Sequence, residues 1–236
     1  MLIPLRDENP RGRFPLVTFL IIAANVLVFL FQRSLSPAGQ ELLLKAAGAI
    51  PFEIVNHVDI GPADLLPWPG SILTSMFLHG GWLHLIGNMW FLWLFGDNVE
   101  EALGSVRFLL FYLLAGTVGA VAQCYIVPDS TAPMLGASGA VAGVLGAYVL
   151  LYPRARILTF ALIPLFLNVL RVPAWLFLGF WFLGQFFIGD GAGVAWMAHV
   201  GGFLAGLGIV RLLSPAPARR PQPSIPKIEY LPPGHR

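Results

Sequence analysis

Long apolar runs, each bounded by charged residues, proline or glycine, alternate with more polar segments along the chain. A helix that crosses the hydrocarbon core of a bilayer needs roughly 17 to 25 mostly apolar residues. Six runs approach or reach this length, at residues 15–32, 82–97, 106–127, 136–152, 173–189 and 194–213. The pattern therefore predicts an all-α membrane protein built as a bundle of six transmembrane helices.

Two segments between these runs need a separate interpretation. Residues 157–170 are apolar, but Pro164 and Asn168 interrupt them and the run is too short to span, so we interpret it as interfacial. If it did span, the last two helices would be inverted. Residues 33–81 mix polar, aromatic and apolar positions with proline and glycine. A loop of that length is usually functional or disordered, and its apolar content predicts a structured first loop that is partly embedded in the membrane.

The ends of the chain differ from the middle. Residues 214–236 are rich in proline and lack a hydrophobic period, which predicts a disordered tail. We therefore divide the chain into an N-terminal segment at 1–14, a membrane domain at 15–213 and this tail. Arg11 and Arg13 precede the first apolar run as in a secretory signal, but no clear cleavage site follows, so we interpret that run as a retained span.

The distribution of positive charge predicts the orientation. The chain has 14 Lys and Arg residues. In a six-span topology, all of them except Arg33 and Lys45 fall on the side that holds both termini. Positive residues accumulate on the cytoplasmic side of membrane proteins. We therefore expect cytoplasmic termini, an external first loop and, in the absence of a visible targeting signal, a bacterial plasma membrane.

Composition supports the membrane interpretation and excludes several other classes. Hydrophobic residues make up 57% of the chain and charged residues only 11%, against about 25% charged residues in soluble domains. A net charge of +2, with scattered basic residues, gives no reason to expect a nucleic-acid partner. Cys124 is the sole cysteine, which excludes an intramolecular disulfide and a multi-cysteine zinc site.

Polar residues inside membrane spans are costly unless paired, so each is a functional candidate. His84 and Asn88 lie in the first turns of the second run, four residues apart and therefore on one helix face. Ser138 lies in the first turn of the fourth run and His199 in the second turn of the sixth. These three helices would run in the same direction, so the four side chains would lie at similar depths below the external surface.

Small residues surround both Ser138 and His199 and would let their helices cross closely. The principal ones are Gly136 and Gly139 beside the serine, and Gly202 and Gly206 beside the histidine. A close crossing would bring the Ser138 hydroxyl within reach of a His199 ring nitrogen, which is the pairing that activates a nucleophile. No Asp or Glu occurs at the external ends of these spans, so we expect a dyad.

Each of these residues also has a purely structural interpretation. Ser138 alone would most often be a packing residue in a glycine-rich helix, and His84 with Asn88 could form interhelical hydrogen bonds. In the catalytic interpretation, His84 and Asn88 would join the unpaired N–H groups at the start of the fourth helix in stabilising an oxyanion. The coincidence of Ser138 with His199 favours catalysis.

Three motifs resemble those of the rhomboid family of intramembrane serine proteases: HLIGN at 84–88, GASG at 136–139 and AHVGGFLAG at 198–206. The resemblance extends from about residue 74 to 208. It implies that Ser138 is the nucleophile and His199 its base, and that His84 and Asn88 are oxyanion donors. It also implies cleavage of transmembrane or membrane-anchored proteins that enter near the fifth helix, without a cofactor.

The resemblance implies structural roles for two further residues, His79 and Glu100. The sequence departs from the pattern of some bacterial members in two places. Gly70 and Ser71 stand where a Trp-Arg pair anchors the first loop, and Ala142 stands where a tyrosine stacks on the catalytic histidine. The sequence therefore leaves open which residue orients the His199 ring.

Two other functions compete with proteolysis. His79, His84 and His199 could gather a transition metal in a transporter or metalloenzyme, but no HExxH pattern is present and acidic residues are missing near these histidines. A non-catalytic relative could instead bind membrane helices and escort them. Retention of both Ser138 and His199 argues against that alternative, so the sequence favours a serine protease with no metal site.

Overall fold

The computed structural model describes residues 2–10, 12–60, 67–163, 166–187 and 194–213. The predicted tail at 214–236 lies outside these residues. Within them, helices dominate. They are α1 (Leu16–Ser34), α2 (Pro37–Ala47), α3 (Pro51–Asn56), α4 (Trp68–Ser75), α5 (Trp82–Leu103), α6 (Ser105–Ile126), α7 (Ser138–Leu151), α8 (Ala174–Gln185) and α9 (Trp196–Leu213).

A helix occupies each of the six predicted apolar runs, but the helices differ in length and apolarity. In the described part of the chain, α1, α6 and α9 are long and apolar enough to cross a membrane. Helices α7 and α8 are apolar but shorter, and α5 is long but ends in a charged turn. The protein is thus a mainly helical membrane protein with three candidate spans, and a crossing by all six helices stays a prediction.

The all-α prediction is wrong in one region. Strands β1 (Leu2–Asp7), β2 (Arg156–Ile163) and β3 (Phe166–Pro173) form an antiparallel sheet in the order β1-β2-β3. The segment 157–170, which we interpreted as interfacial, is therefore most of a β-hairpin. Proline cannot continue a helix through the middle of this run. The N-terminal strand adds a third strand, pairing Leu2 with Ala161 and Asp7 with Ile157.

The first loop is structured by short helices. Helices α2, α3 and α4 lie within residues 33–81, and residues 61–66 are outside the described part. Ala49 pairs with Met134 as an isolated β-bridge, and Gly136 N–H donates to the Ser75 carbonyl at 2.9 Å. These contacts fix the loop against the segment that leads into α7.

Helix α7 is the centre of the bundle, because every residue from Gly139 to Tyr148 is buried. Its contact with α9 is made backbone to backbone through glycine. A Cβ atom added at Gly202 would collide with the Gly139 carbonyl, and one added at Gly206 with the Gly143 carbonyl. The small residues therefore bring the two helices close together in the way that such residues allow in membranes.

A network of buried polar groups ties the helices together at the far end of α5. The Glu100 carboxylate accepts hydrogen bonds from the N–H groups of Val17 and Thr18 and from the hydroxyls of Thr18 and Ser105, at 2.6 to 3.0 Å. It thereby caps the start of α1, whose first N–H groups have no partner within the helix. The structural role that the resemblance implied for Glu100 agrees with these contacts.

Candidate active site

A cavity of about 620 Å³ opens where the starts of α5, α7 and α9 meet the loop before α7. Ser138, His199 and His84 line it together with Met134 and Leu135 from that loop. Three of the four polar residues selected from the sequence therefore face one cavity. The fourth, Asn88, is buried next to these residues and is not one of those that line the cavity.

Ser138 is the first residue of α7 and is half-buried. The chain reaches it through Gly136, which has a φ of +115°, a left-handed conformation that favours glycine. A Cβ atom at Gly136 would also lie 2.6 Å from the His84 ring. Glycine is thus required here twice, for the turn into α7 and for the close approach of His84.

The Ser138 hydroxyl makes no hydrogen bond with any residue that the structure describes, His199 included. Catalytic hydrogen bonds are often long before a substrate binds. The hydroxyl faces the cavity at the N-terminus of a helix, where the first N–H groups lack intrahelical partners and the helix dipole favours negative charge. This environment suits an oxyanion forming next to the serine.

His199 lies in the first turn of α9 and is held from α8. Its Nδ1 lies 2.6 Å from Oε1 of Gln185, and its ring packs against Trp181 with centroids 6.0 Å apart. Gln185 in turn donates from Nε2 to the Trp181 carbonyl at 2.9 Å. Two residues of α8, one turn apart, thus contact the His199 ring in this chain.

Asn88 and His84 occupy different surroundings. His84 is exposed at the cavity, whereas Asn88 is buried and places its amide nitrogen 3.0 Å from Nε2 of His79. The His79 and His84 rings meet edge to face at 5.1 Å. His84 is therefore the more accessible of the two predicted oxyanion donors, and Asn88 is oriented by His79.

His79 belongs to the loop before α5 and is fully buried. Burial, reinforced by the nearby His84, lowers the pKa of His79 to about 4. Its ring is therefore neutral at pH 7 and can accept the Asn88 amide hydrogen. Gln32 of α1 clamps the His79 backbone by accepting from its N–H and donating to its carbonyl, which is a structural role.

Gln185 and Trp181 are the site residues that sequence reasoning missed. A signal for Gln185 was present, because it is a polar side chain in the apolar run 173–189, and such residues are functional candidates. Nothing in the sequence indicated that it would meet His199, since the two residues lie on different helices. Trp181 carries no comparable signal in a run rich in aromatic residues.

A metal site finds no support in the described residues, where no group of three or more His, Cys, Asp or Glu side chains could hold an ion. His79, the inner member of the proposed trio, is already engaged with Asn88. The arrangement is instead that of a hydroxyl and an imidazole facing one cavity, next to a helix N-terminus.

Comparison with known proteins identifies relatives of this chain. The rhomboid domain model matches residues 68–216, which include all four predicted polar residues and Gln185. The chain is 36% identical to rhomboid protease GluP of Bacillus subtilis over 61% of this chain and 26% of that protein. It is 33% identical to RHOMBOID-like protein 5 of Arabidopsis thaliana over 92% of this chain and 72% of that protein.

A further relative is the putative rhomboid protease YdcA of Bacillus subtilis, which is 31% identical over 58% of this chain and 62% of that protein. The aligned part thus spans about a quarter of GluP and less than two thirds of YdcA.

Proposed function

The chain belongs to the rhomboid family, and on that premise we propose that it is an intramembrane serine endopeptidase that cuts transmembrane or membrane-anchored proteins. The observation that carries the proposal is the common cavity of Ser138 and His199, on two helices held in backbone contact by glycine. Two of the relatives, GluP and YdcA, are named as a protease and a putative protease, which supports the same reaction class.

The first half of the reaction is acylation. The Ser138 Oγ attacks the carbonyl carbon of the scissile peptide while its proton moves to Nε2 of His199, since Nδ1 is already bonded to Gln185. The negative charge on the carbonyl oxygen is stabilised by the first N–H groups of α7 and by His84 and Asn88. The carbon–nitrogen bond then breaks, and His199 gives its proton to the leaving amine.

Deacylation repeats these steps with water. A water molecule attacks the acyl-enzyme, its proton passes to His199, and collapse of the second intermediate returns the proton to Ser138 as the acid product leaves. The open cavity at Ser138 supplies the space that this water needs. No cofactor enters the scheme.

The same proposal includes the setting of the enzyme. We assign both termini to the cytoplasmic side, on the strength of the Lys and Arg distribution. The membrane we propose is a bacterial plasma membrane, because the relatives GluP and YdcA are bacterial proteins. The membrane domain would be residues 15–213, crossing six times, with a partly embedded loop at 33–81. Substrates would enter beside α8 and meet the site near the external face.

The test is cleavage in a membrane. Full-length protein is reconstituted with single-span substrates that carry small residues near the external end of the span, beside Ser138→Ala and His199→Ala. We expect product from the wild type only. If a substrate co-purifies with folded wild type but is never cut, the proposal is overturned in favour of a relative that binds membrane helices without cleaving them. If Ser138→Ala still cleaves, the activity belongs to another nucleophile.

A further inference from the structure

We infer that Gln185 is a positioning residue for His199, so that Ser138, His199 and Gln185 act in series. The inference rests on the proposed function, because it assigns a task within that reaction. It answers the question left by Ala142, which offers no ring to stack on His199. In this chain the orienting contacts come from α8 instead.

The hydrogen bonds of Gln185 determine which of its atoms faces His199. The Trp181 carbonyl can only accept, so the Gln185 amide must present Nε2 to it, at 2.9 Å. Its Oε1 is then the atom 2.6 Å from His199. An amide oxygen can only accept, so Nδ1 of His199 must be the protonated nitrogen.

This assignment decides the chemistry of the other ring nitrogen. A neutral imidazole carries one proton, so with Nδ1 protonated, Nε2 holds the lone pair. Nε2 is the nitrogen that must take the Ser138 proton. Without an acceptor at Nδ1 the ring could rotate or adopt the other tautomer, and either change would remove the base from Ser138.

The surroundings make the contact rigid. Gln185 is only 5% exposed, and Trp181 packs against the same imidazole one helical turn earlier. Both contacts come from α8, so the orientation of the His199 ring depends on the position of this helix against α9. When the imidazole becomes protonated, Oε1 stays its partner and stabilises the positive charge, as an acidic third member would do more strongly.

The experiment measures the rate of fluorophosphonate labelling of full-length protein in detergent, which reports the Ser138 hydroxyl without a substrate. Gln185→Met keeps the size of the side chain but removes the acceptor, and we expect its rate to fall about tenfold or more. Gln185→Glu retains an acceptor oxygen and should label within roughly threefold of the wild type. Leu183→Met, an exposed change two residues away on α8, should leave the rate unchanged.

A second measurement keeps the test decisive if Gln185→Met folds poorly. An anion beside the imidazole favours its protonated form, so Gln185→Glu should move the acid limb of the labelling rate to higher pH than in wild type. His84 is the titratable side chain across the cavity from His199 among the described residues, and it is unchanged in every variant. Thermal unfolding of each variant is followed in parallel.

The outcomes separate this inference from the proposed function. If the wild type labels at Ser138 and folded Gln185→Met labels equally fast, the positioning role of Gln185 is overturned. The proposed protease function then still stands. Equal losses in Gln185→Met and Gln185→Glu, matched by equal losses in thermal stability, also overturn it in favour of a packing role. Folded wild type that does not label overturns both.

Discussion

The polar side chains at the two ends of α5 differ in how fully they are hydrogen-bonded. His84 and Glu100 lie sixteen residues apart on this helix, about 24 Å along its axis. At the Glu100 end the carboxylate is saturated by four hydrogen bonds. At the other end His84 is exposed to a cavity, and Ser138 has no hydrogen-bond partner among the described residues. Saturated groups stabilise the fold, and unsatisfied ones remain free to react.

The Glu100 end also fixes the N-terminal strand. Asp7 of β1 accepts from Asn98 at 2.9 Å and from the Tyr148 hydroxyl at 2.8 Å. Further along the strand, Trp90 near the middle of α5 donates to the Pro4 carbonyl. These bonds join β1 to α5 and α7. If the comparison is sound, changes at this end should reduce stability and spare catalysis, and changes at the cavity should do the reverse.

The largest expected effect is that of Ser138→Ala. Loss of the nucleophile should reduce the cleavage rate by about 10³-fold or more, while thermal unfolding in detergent stays as in wild type, because the hydroxyl makes no bond within the described structure. Ser34→Ala, an exposed serine at the end of α1, is the control. If Ser138→Ala destabilised the protein as much as the loss of a buried hydrogen-bond network does, the comparison between the two ends would be contradicted.

Next in size is Glu100→Ala, at the opposite end. Removing the carboxylate leaves two backbone N–H groups and two hydroxyls without their partner, which should lower the free energy of unfolding by about 3 kcal/mol. Activity per folded molecule should be unchanged. Its neighbour Glu101, which bonds the Gly12 N–H at an exposed site, provides the matched variant Glu101→Ala, and equal destabilisation by the two would rule out a special role for Glu100.

His84→Ala should reduce catalysis with little effect on folding. Loss of one oxyanion donor typically costs about 10²-fold in rate, and the exposed ring contributes little burial. Rates are compared with Ile86→Ala, an exposed change on the same helix. A wild-type turnover number in folded His84→Ala would remove this residue from the site.

The smallest effect should be that of Tyr148→Phe. The substitution keeps the ring in the core and removes one hydrogen bond to the Asp7 carboxylate, which should lower the free energy of unfolding by about 2 kcal/mol. Tyr125→Phe, at an exposed tyrosine, should change nothing. Reduced activity in folded Tyr148→Phe would show that the two ends are coupled.

The cavity end was largely predictable from the sequence and the Glu100 end was not. His84, Ser138 and His199 stand out because a polar side chain in an apolar run is costly and therefore informative. Asp7, Asn98 and Tyr148 carry no such signal, since each is ordinary in its own segment and the bonds that join the three connect residues about 90 or more positions apart.

The β-sheet was missed for a related reason. A short apolar run such as 157–170 does not distinguish a helix from a strand. The strand that completes the sheet, Leu2–Asp7, lies about 150 residues earlier and was interpreted as a terminal segment. Pairing between such distant segments depends on the fold as a whole and is not visible in a local pattern.

The most direct test of the central claim is to locate a covalent adduct. Folded full-length protein is treated with a fluorophosphonate, digested and examined by mass spectrometry, beside His199→Ala. The account predicts one adduct in the wild type, on the peptide that contains Ser138, and its loss in His199→Ala. An adduct on another residue, equal labelling of His199→Ala, or no adduct on folded wild type would contradict the assignment of Ser138 and His199 as the catalytic pair.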